Sequence, residues 1–584
     1  MHRERLVPRR RRLQLTALLV IAALGAGVVP ATAAGGGTKT GQPAMLTPVA
    51  AGITVTPLIT VGETAGDGGY VFESVPDGIA VKVRNNAIAD VYVNHETSRV
   101  PFPYTPSAPT ELNSQNDFDN AQVSLLKLHR KSAGVLSGSM VITSDSNYQR
   151  FCSSYLATAA EGFDREILFT NEESVDWVNR TGNAWPAVIG ADAARQSGVV
   201  VAFDIKSGED RPIWGMGRHN HENSVPIPGF DEIVMLSGDD TFTNNPSQSQ
   251  LYSYIAPDAD AVWNDQGALW AFQTNGPKQK YEHFVPGDAT SVSGQFIPVP
   301  RLIATGRHPD GTEVMAADFG YPLPPNDGTW QRDPSGVGID GPQWVLEYWS
   351  QQNHVFNFIR VEDIAYDKRP GMSNVAYVVD SGRGTAPIQP APPEPPVPTF
   401  GPGLSTNGRV WKMVFDPNDP TKVTALSILI EGDDAAVKTV NEIHQPDNIE
   451  STVNGLYITE DPGSSQQFNF TTQLTDPRRT EARIWQYPFS TGVATVALKV
   501  DQSADEGPTD VDATTTRGNL GAWESSGIVD ASAAFGPGAF LVDVQAGTLW
   551  VEKAPGADNV PPPGSDFTDK RAGGQLLLVR IPNG

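Results

Sequence analysis

The sequence predicts an all-β protein, a six-bladed β-propeller forming a single domain with long loop insertions. Three observations predict it. The chain carries 56 glycines and 48 prolines spread through its 584 residues, and no long amphipathic helical pattern stands among them. Short runs rich in Val, Ile, Tyr, Trp and Phe alternate with turn residues, as half-buried strands and their hairpins do. One unit also recurs six times along the chain, and such self-similarity is the mark of a repeat architecture.

Each copy opens on a short polar cluster, continues to an apolar strand that ends in acidic or amide residues, and closes on a third apolar strand. The first copy runs from Pro76-Asp77-Gly78 through Val91-Tyr92-Val93-Asn94-His95-Glu96 to Val123-Ser124-Leu125-Leu126. The second opens at Cys152-Ser153 and passes through Ile167 to Glu173. The third opens at His221-Glu222 and passes Asp239-Asp240. The fourth opens at Glu362-Asp363 and passes Asp380. The fifth opens at Pro446-Asp447-Asn448 and passes Glu460-Asp461. The sixth opens at Ser525-Ser526-Gly527 and passes Phe540 to Gln545. Antiparallel units stacked around an axis make propeller blades, each needing a fourth, outer strand from the intervening sequence. Two packed sandwich domains are the competing arrangement.

The N-terminus reads as an export signal. Arg9 to Arg12 are followed by the uncharged stretch Leu15 to Val29 and then by Ala31-Thr32-Ala33, the order of a cleavable secretory segment. Paired arginines before the apolar run suggest the twin-arginine route, although Arg9 and Gln14 depart from its usual pattern. Residues 1–33 are assigned to the signal peptide, 34–50 to a flexible segment and 51–584 to the propeller. The chain is therefore expected to be secreted. No other stretch is long and apolar enough to span a membrane.

The formal net charge is −25, and removing residues 1–33, with six arginines and one glutamate, takes it to −30. Such a surface repels nucleic acid and anionic lipid, which excludes both as expected partners. It attracts cations, calcium in particular; solubility alone is the plainer reason for the same charge. The one cysteine, Cys152, has no internal disulfide partner. It is either a small buried core residue or a metal-binding thiol.

Propeller geometry turns the repeat into a site. The first strand of a blade lines the channel, and a hairpin returns the second strand to the same rim. Asp77, Cys152, Glu222, Glu362, Asp447, Asn448 and Ser526 are thereby expected around the channel mouth, with Glu96, Glu173, Asp240 and Glu460 just behind. Clustered carboxylates do not stay ionised together without cations between them. Oxygen-rich rings suit calcium, and a thiolate among them favours a softer transition metal.

These residues resemble the PhoX-type alkaline phosphatases. The resemblance rests on Pro76-Asp77-Gly78, Asn94-His95-Glu96, Cys152, Thr170-Asn171-Glu172-Glu173, Gly217-Arg218 with His221-Glu222, Gly238-Asp239-Asp240, Arg360-Val361-Glu362-Asp363 and Pro446-Asp447-Asn448. It implies a propeller with an iron–calcium cluster at the channel mouth. By that resemblance Cys152, Glu173 and Glu222 would hold iron, and Asp240, Glu362 and Asp447 would hold calcium. Arg360 and Asn448 would bind the substrate phosphate as the catalytic pair. The chain departs from the family at Ser153-Ser154-Tyr155-Leu156-Ala157, where small glycines are usual, and in the stretch before Glu172.

The activity so implied is metal-assisted hydrolysis of a small phosphate ester by a monomer. Two other functions fit the residues. One is a calcium-dependent propeller hydrolase of lactonase-like or phytase-like specificity; the other is a non-catalytic calcium-binding propeller. No Gly-x-Ser-x-Gly elbow or phosphate-cradling glycine loop is present, so serine-triad and nucleotide-binding chemistry have no support. Two insertions remain, 300–345 between the third and fourth repeats and the proline-dense 387–403 inside the fourth, the latter read as a surface loop.

Overall fold

The computed structural model describes residues 36–66, 69–100, 119–182, 187, 193–241, 248–324, 340–382, 407–433, 441–461, 480–502, 523–552, 570–582 and 584. The export signal at 1–33 and the proline-dense stretch 387–403 lie outside the described residues.

The described chain is all-β in character, with its sheets in a propeller-like arrangement. Every copy of the sequence unit becomes a set of antiparallel neighbours. In the first, Pro76–Val83, Ile88–His95, Gln122–His129 and Val135–Ile142 pair in chain order. In the last, Glu524–Asp530, Ala539–Glu552 and Lys570–Arg580 pair in order, and the outer strand is Thr54–Thr60 from the other end of the chain.

The expectation of six separate blades is corrected. Four sheets of four or five strands stand alone as blades, and the third and fourth repeats merge into one nine-stranded sheet. The cause is an added strand, Val292–Pro298, which pairs on one side with Ala268–Thr274 and on the other with Asp419–Glu431. Its free edge hydrogen-bonds to the neighbouring sheet instead of to solvent, which removes two exposed edges at once.

The segment expected to be flexible, 34–50, also differs. Leu46–Pro48 is a strand against Thr495–Val500, because Met45 and Leu46 are each only 2% exposed in the core beneath it. The insertion 300–345 is not plain loop: Arg301–Thr305 and Ala316–Phe319 are short helices, and Pro342–Gln352 follows as a longer one. Val345, Leu346 and Trp349 of that helix pack into an apolar core with Tyr252 and Met235. No helix among the described residues is long and apolar enough to cross a membrane.

Apolar cores lie between consecutive repeats. Tyr92 of the first packs with Phe151 and Val201 of the second, and the set closes where Ile79 and Val91 of the first meet Leu541 and Leu576 of the last. The inner strands Pro76–Val83, Phe151–Ala157, His221–Pro226, Val361–Tyr366, Pro446–Ser451 and Glu524–Asp530 each contact the next, and the last contacts the first. They enclose the channel that positions the site.

Candidate metal centre

A local irregularity common to all the repeats builds the site. Where each inner strand begins, three residue steps on it face two on its neighbour. The register jumps from Pro76↔His95 to Ile79↔Val93, from Phe151↔Glu172 to Ser154↔Thr170, and from His221↔Asp239 to Ser224↔Ser237. The same jump occurs between Val361 and Ile364, Pro446 and Ile449, and Ser525 and Ile528. Each is a β-bulge, which breaks the strict alternation of side chains and re-aims the residues inside it. The bulged pairs are Asp77-Gly78, Cys152-Ser153, Glu222-Asn223, Glu362-Asp363, Asp447-Asn448 and Ser526-Gly527. The short polar clusters of the sequence are these bulges.

The second strands deliver the remaining groups by ordinary alternation. Of each terminal pair, one residue serves the blade and the next serves the channel. His95 is hydrogen-bonded to the Ser74 carbonyl and to Ser124 Oγ, whereas Glu96 accepts from Gln545. Glu172 is forked by Arg180, whereas Glu173 stands close enough to Glu96, Asp240 and Glu222 for their charge to raise its carboxyl. Glu460, expected behind the mouth, is instead the blade-side member: Arg483 and Trp485 Nε1 donate to it. Its neighbour Asp461 takes the channel side, close enough to Glu524 for its charge to raise that carboxyl.

Three groups of potential ligand atoms result, each with its atoms within 4.8 Å of one another: Asp77, Glu96 and Cys152; Cys152, Glu173 and Glu222; and Glu222, Glu362 and Asp447. They form a chain, joined through Cys152 and Glu222. Cys152, Glu173, Glu222, Glu362 and Asp447 are therefore brought together. Asp240 is beside them but in none of the three groups. Both its oxygens are held by Arg360, with Nε 2.7 Å from Oδ1 and Nη2 on Oδ2. Arg360 Nη2 is also 3.5 Å from Glu362 Oε1. Asn448 lies one layer down the channel, its Nδ2 2.5 Å from Ser153 Oγ. Sequence reasoning missed Asp461 and Glu524 as members of the site; the alternation that puts Glu96, Glu173 and Asp240 toward the channel is the signal that selects Asp461 over Glu460.

The electrostatics are severe. Glu222 is 1% exposed, Glu362 2% and Asp447 6%. Burial, and then their neighbours' negative charge, push the carboxyls of Glu173, Glu222, Glu362, Asp447 and Glu524 well above the usual range. Burial raises Asp77 to about 6 and Glu96 to about 7. The Cys152 thiol is pushed up by burial and then by Asp77 and Glu222. Asp77 Oδ1 and Glu362 Oε1 are buried without a hydrogen-bond partner. A buried carboxylate left so costs several kcal/mol unless a countercharge meets it, and a bound cation inverts the whole pattern by holding the anions and the thiolate ionised. Oxygen donors with one sulfur, two of the oxygens without a hydrogen-bond partner, fit a set of adjoining cations.

No family model matches the chain, and no curated protein matches it. Among solved structures it is similar to Pseudomonas fluorescens PhoX in complex with vanadate, a transition-state analogue. The two are 13% identical, with 92% of this chain and 96% of that one covered and a TM-score of 0.53. The chain is a distant structural relative of PhoX. At that identity the likeness to PhoX is one of fold. A computationally designed protein, Ika8, aligns over 87% of this chain at a TM-score of 0.28, too low to bear on the fold.

Proposed function

We propose that the chain is a secreted, metal-dependent phosphatase acting on small phosphate esters at this ring. The observation that carries the reading is the chain of ligand groups through Cys152 and Glu222, with the Arg360 guanidinium at its edge. The PhoX-like fold supports it, since the PhoX structure was solved with a transition-state analogue bound. In this reading the nine-stranded sheet counts as two blades fused at their outer edges, giving six around the channel within one domain.

Cys152, Glu173 and Glu222 would hold iron, the thiolate supplying the softer donor, and Glu362 and Asp447 would hold calcium with the shared Glu222, while Asp240, gripped by Arg360, stands outside that group. When bound, such cations supply Lewis-acid neutralisation of the phosphate oxygens. The protein's own part is charge and position. Arg360 would bring a guanidinium charge to the phosphate, and its fork on the two oxygens of Asp240 holds that charge at the ring's edge. Asn448 adds an amide donor from the layer beneath.

The forked Arg360–Asp240 pair also favours a second reading, a calcium-holding propeller in which Arg360 only neutralises the ring. Arg360→Ala separates the two. The phosphatase reading expects turnover of a phosphomonoester to fall by about 10² or more, the scale of a lost charged transition-state contact, with metal content retained. A wild-type protein that holds metal and hydrolyses no phosphomonoester supports the non-catalytic reading.

A further inference from the structure

Each bulge sends two residues to the channel, and the ring uses only the first. The second residues form a layer beneath it: Gly78, Ser153, Asn223, Asp363, Asn448 and Gly527. Neither glycine has room for a side chain. A Cβ on Gly78 would lie 2.4 Å from Ser154 N, and one on Gly527 would lie 2.7 Å from Asp77 O. The four polar members bond to one another and to the chain. Asn223 Nδ2 donates to Asp363 Oδ1 at 2.6 Å, and Asp363 Oδ2 accepts from Ile449 N. Asn171 Nδ2 donates to the Ser153 carbonyl at 2.9 Å.

Among the described residues of this layer, Ser153 is the one whose side chain reaches up to hydrogen-bond a ring ligand. Its Oγ lies 2.6 Å from Glu222 Oε1 and 2.5 Å from Asn448 Nδ2. An amide nitrogen only donates, so Ser153 Oγ accepts from Asn448. The one hydroxyl proton is then left for Glu222. The chain of donors therefore runs in one direction, Asn448 to Ser153 to Glu222, and ends on an acceptor oxygen. Glu222 is also the carboxylate shared by two of the three ligand groups.

We infer that Ser153 is a positioning residue: it fixes the orientation of the shared ligand Glu222 so that one carboxylate serves both neighbouring cation positions. The inference rests on the proposed metal ring and adds to it a residue from the layer beneath. A hydroxyl bond to one carboxylate oxygen sets the rotation of the whole group, as outer partners of metal ligands do, and losing such a partner costs about 10- to 100-fold in metal affinity.

The test is chelator competition on the full mature protein, with the retained calcium and iron counted by elemental analysis. Ser153→Ala should lose cations at chelator concentrations at least tenfold lower than wild type. Ser153→Thr, which keeps the hydroxyl, should restore retention. Ser154→Ala, on the same strand but without a bond to Glu222, should match wild type. If Ser153→Ala lowers only the unfolding temperature and retains cations within twofold of wild type, the positioning role is overturned and the ring stands. If wild-type protein holds no cation, the ring reading fails and takes this inference with it. Should Ser153→Ala not fold, Ser153→Cys, close in size but a poor donor, carries the same comparison against Ser153→Thr.

Discussion

The two ends of the channel are made by the same six inner strands and treat buried charge in opposite ways. At the ring, Glu173, Glu222, Glu362 and Asp447 face one another, and the guanidinium beside them, Arg360, is already forked by Asp240. At the far end, a cavity of about 200 Å³ is lined by Ile79, Tyr155, Tyr366, Lys368, Glu450 and Asp530 among others. There the charges are settled within the chain. Lys368 Nζ lies 2.6 Å from Glu450 Oε1, and Glu450 Oε2 accepts from Asp530 N. Glu161 accepts from the hydroxyls of both Tyr155 and Tyr366 and from Thr158. The carboxylates of this cavity are met by donors within the chain, Asp363 by Asn223 and Ile449 N and Glu450 by Lys368 and Asp530 N. Among the described residues the ring gathers more carboxylates than the Arg360 guanidinium meets, and that surplus is the argument for cations.

The largest effect should come from the residue that joins two ligand groups. Glu222→Gln keeps shape and removes the charge, so it should strip cations from both groups it shares and lower phosphomonoester turnover by at least about 10²-fold. Elemental analysis beside a turnover assay reads both. Loss of activity with full metal content would break the link between ring and chemistry.

Next in size is the pH response of chelated protein. Asp77 is raised to about 6 and Glu96 to about 7, while unfolded carboxylates titrate near about 4. Between those values the native state binds more protons than the unfolded one, so stability falls as pH rises. The unfolding temperature of metal-free protein should therefore drop from about pH 5 to about pH 8. Metal should flatten that slope, because cations replace the protons that hold the ring together. A metal-free protein that gains stability over the same range would contradict the charge account.

The smallest effect belongs to the far end. Lys368→Met leaves Glu450 without its cation in a half-buried place, at a cost of about 1–2 kcal/mol of stability, while turnover and metal content stay at wild-type values. A change in metal content there would erase the contrast between the two ends.

The ring end of this contrast was legible in the sequence and the far end was not, and the limits follow from physics. The repeat was readable because each inner strand opens on a polar cluster, and the residues gathered at the ring are those clusters. What the sequence could not convey was pairing. The bulges at Asp77-Gly78 through Ser526-Gly527 depend on which residues face each other across strands, so the second layer with Ser153 and Asn448 was invisible as a layer. Glu460 was placed wrongly for a related reason: its role is decided by Arg483, distant in sequence, and by a one-residue alternation. The fused sheet turned on a single extra strand, Val292–Pro298, whose partner Asp419–Glu431 lies far along the chain. Asp461 and Glu524 were missed because acidic residues near turns are common and only convergence distinguishes them.

The central claim is that adjoining cations occupy the ring, with Cys152 selecting a transition metal for one of them. Elemental analysis of the protein secreted in its native form, wild type beside Cys152→Ser, tests it most directly. The account predicts that wild type carries both calcium and iron, and that Cys152→Ser loses the iron and the activity while keeping most of the calcium, because a hydroxyl is a far poorer ligand than a thiolate. Folded wild-type protein free of bound metal, or a Cys152→Ser variant with unchanged iron, would contradict it.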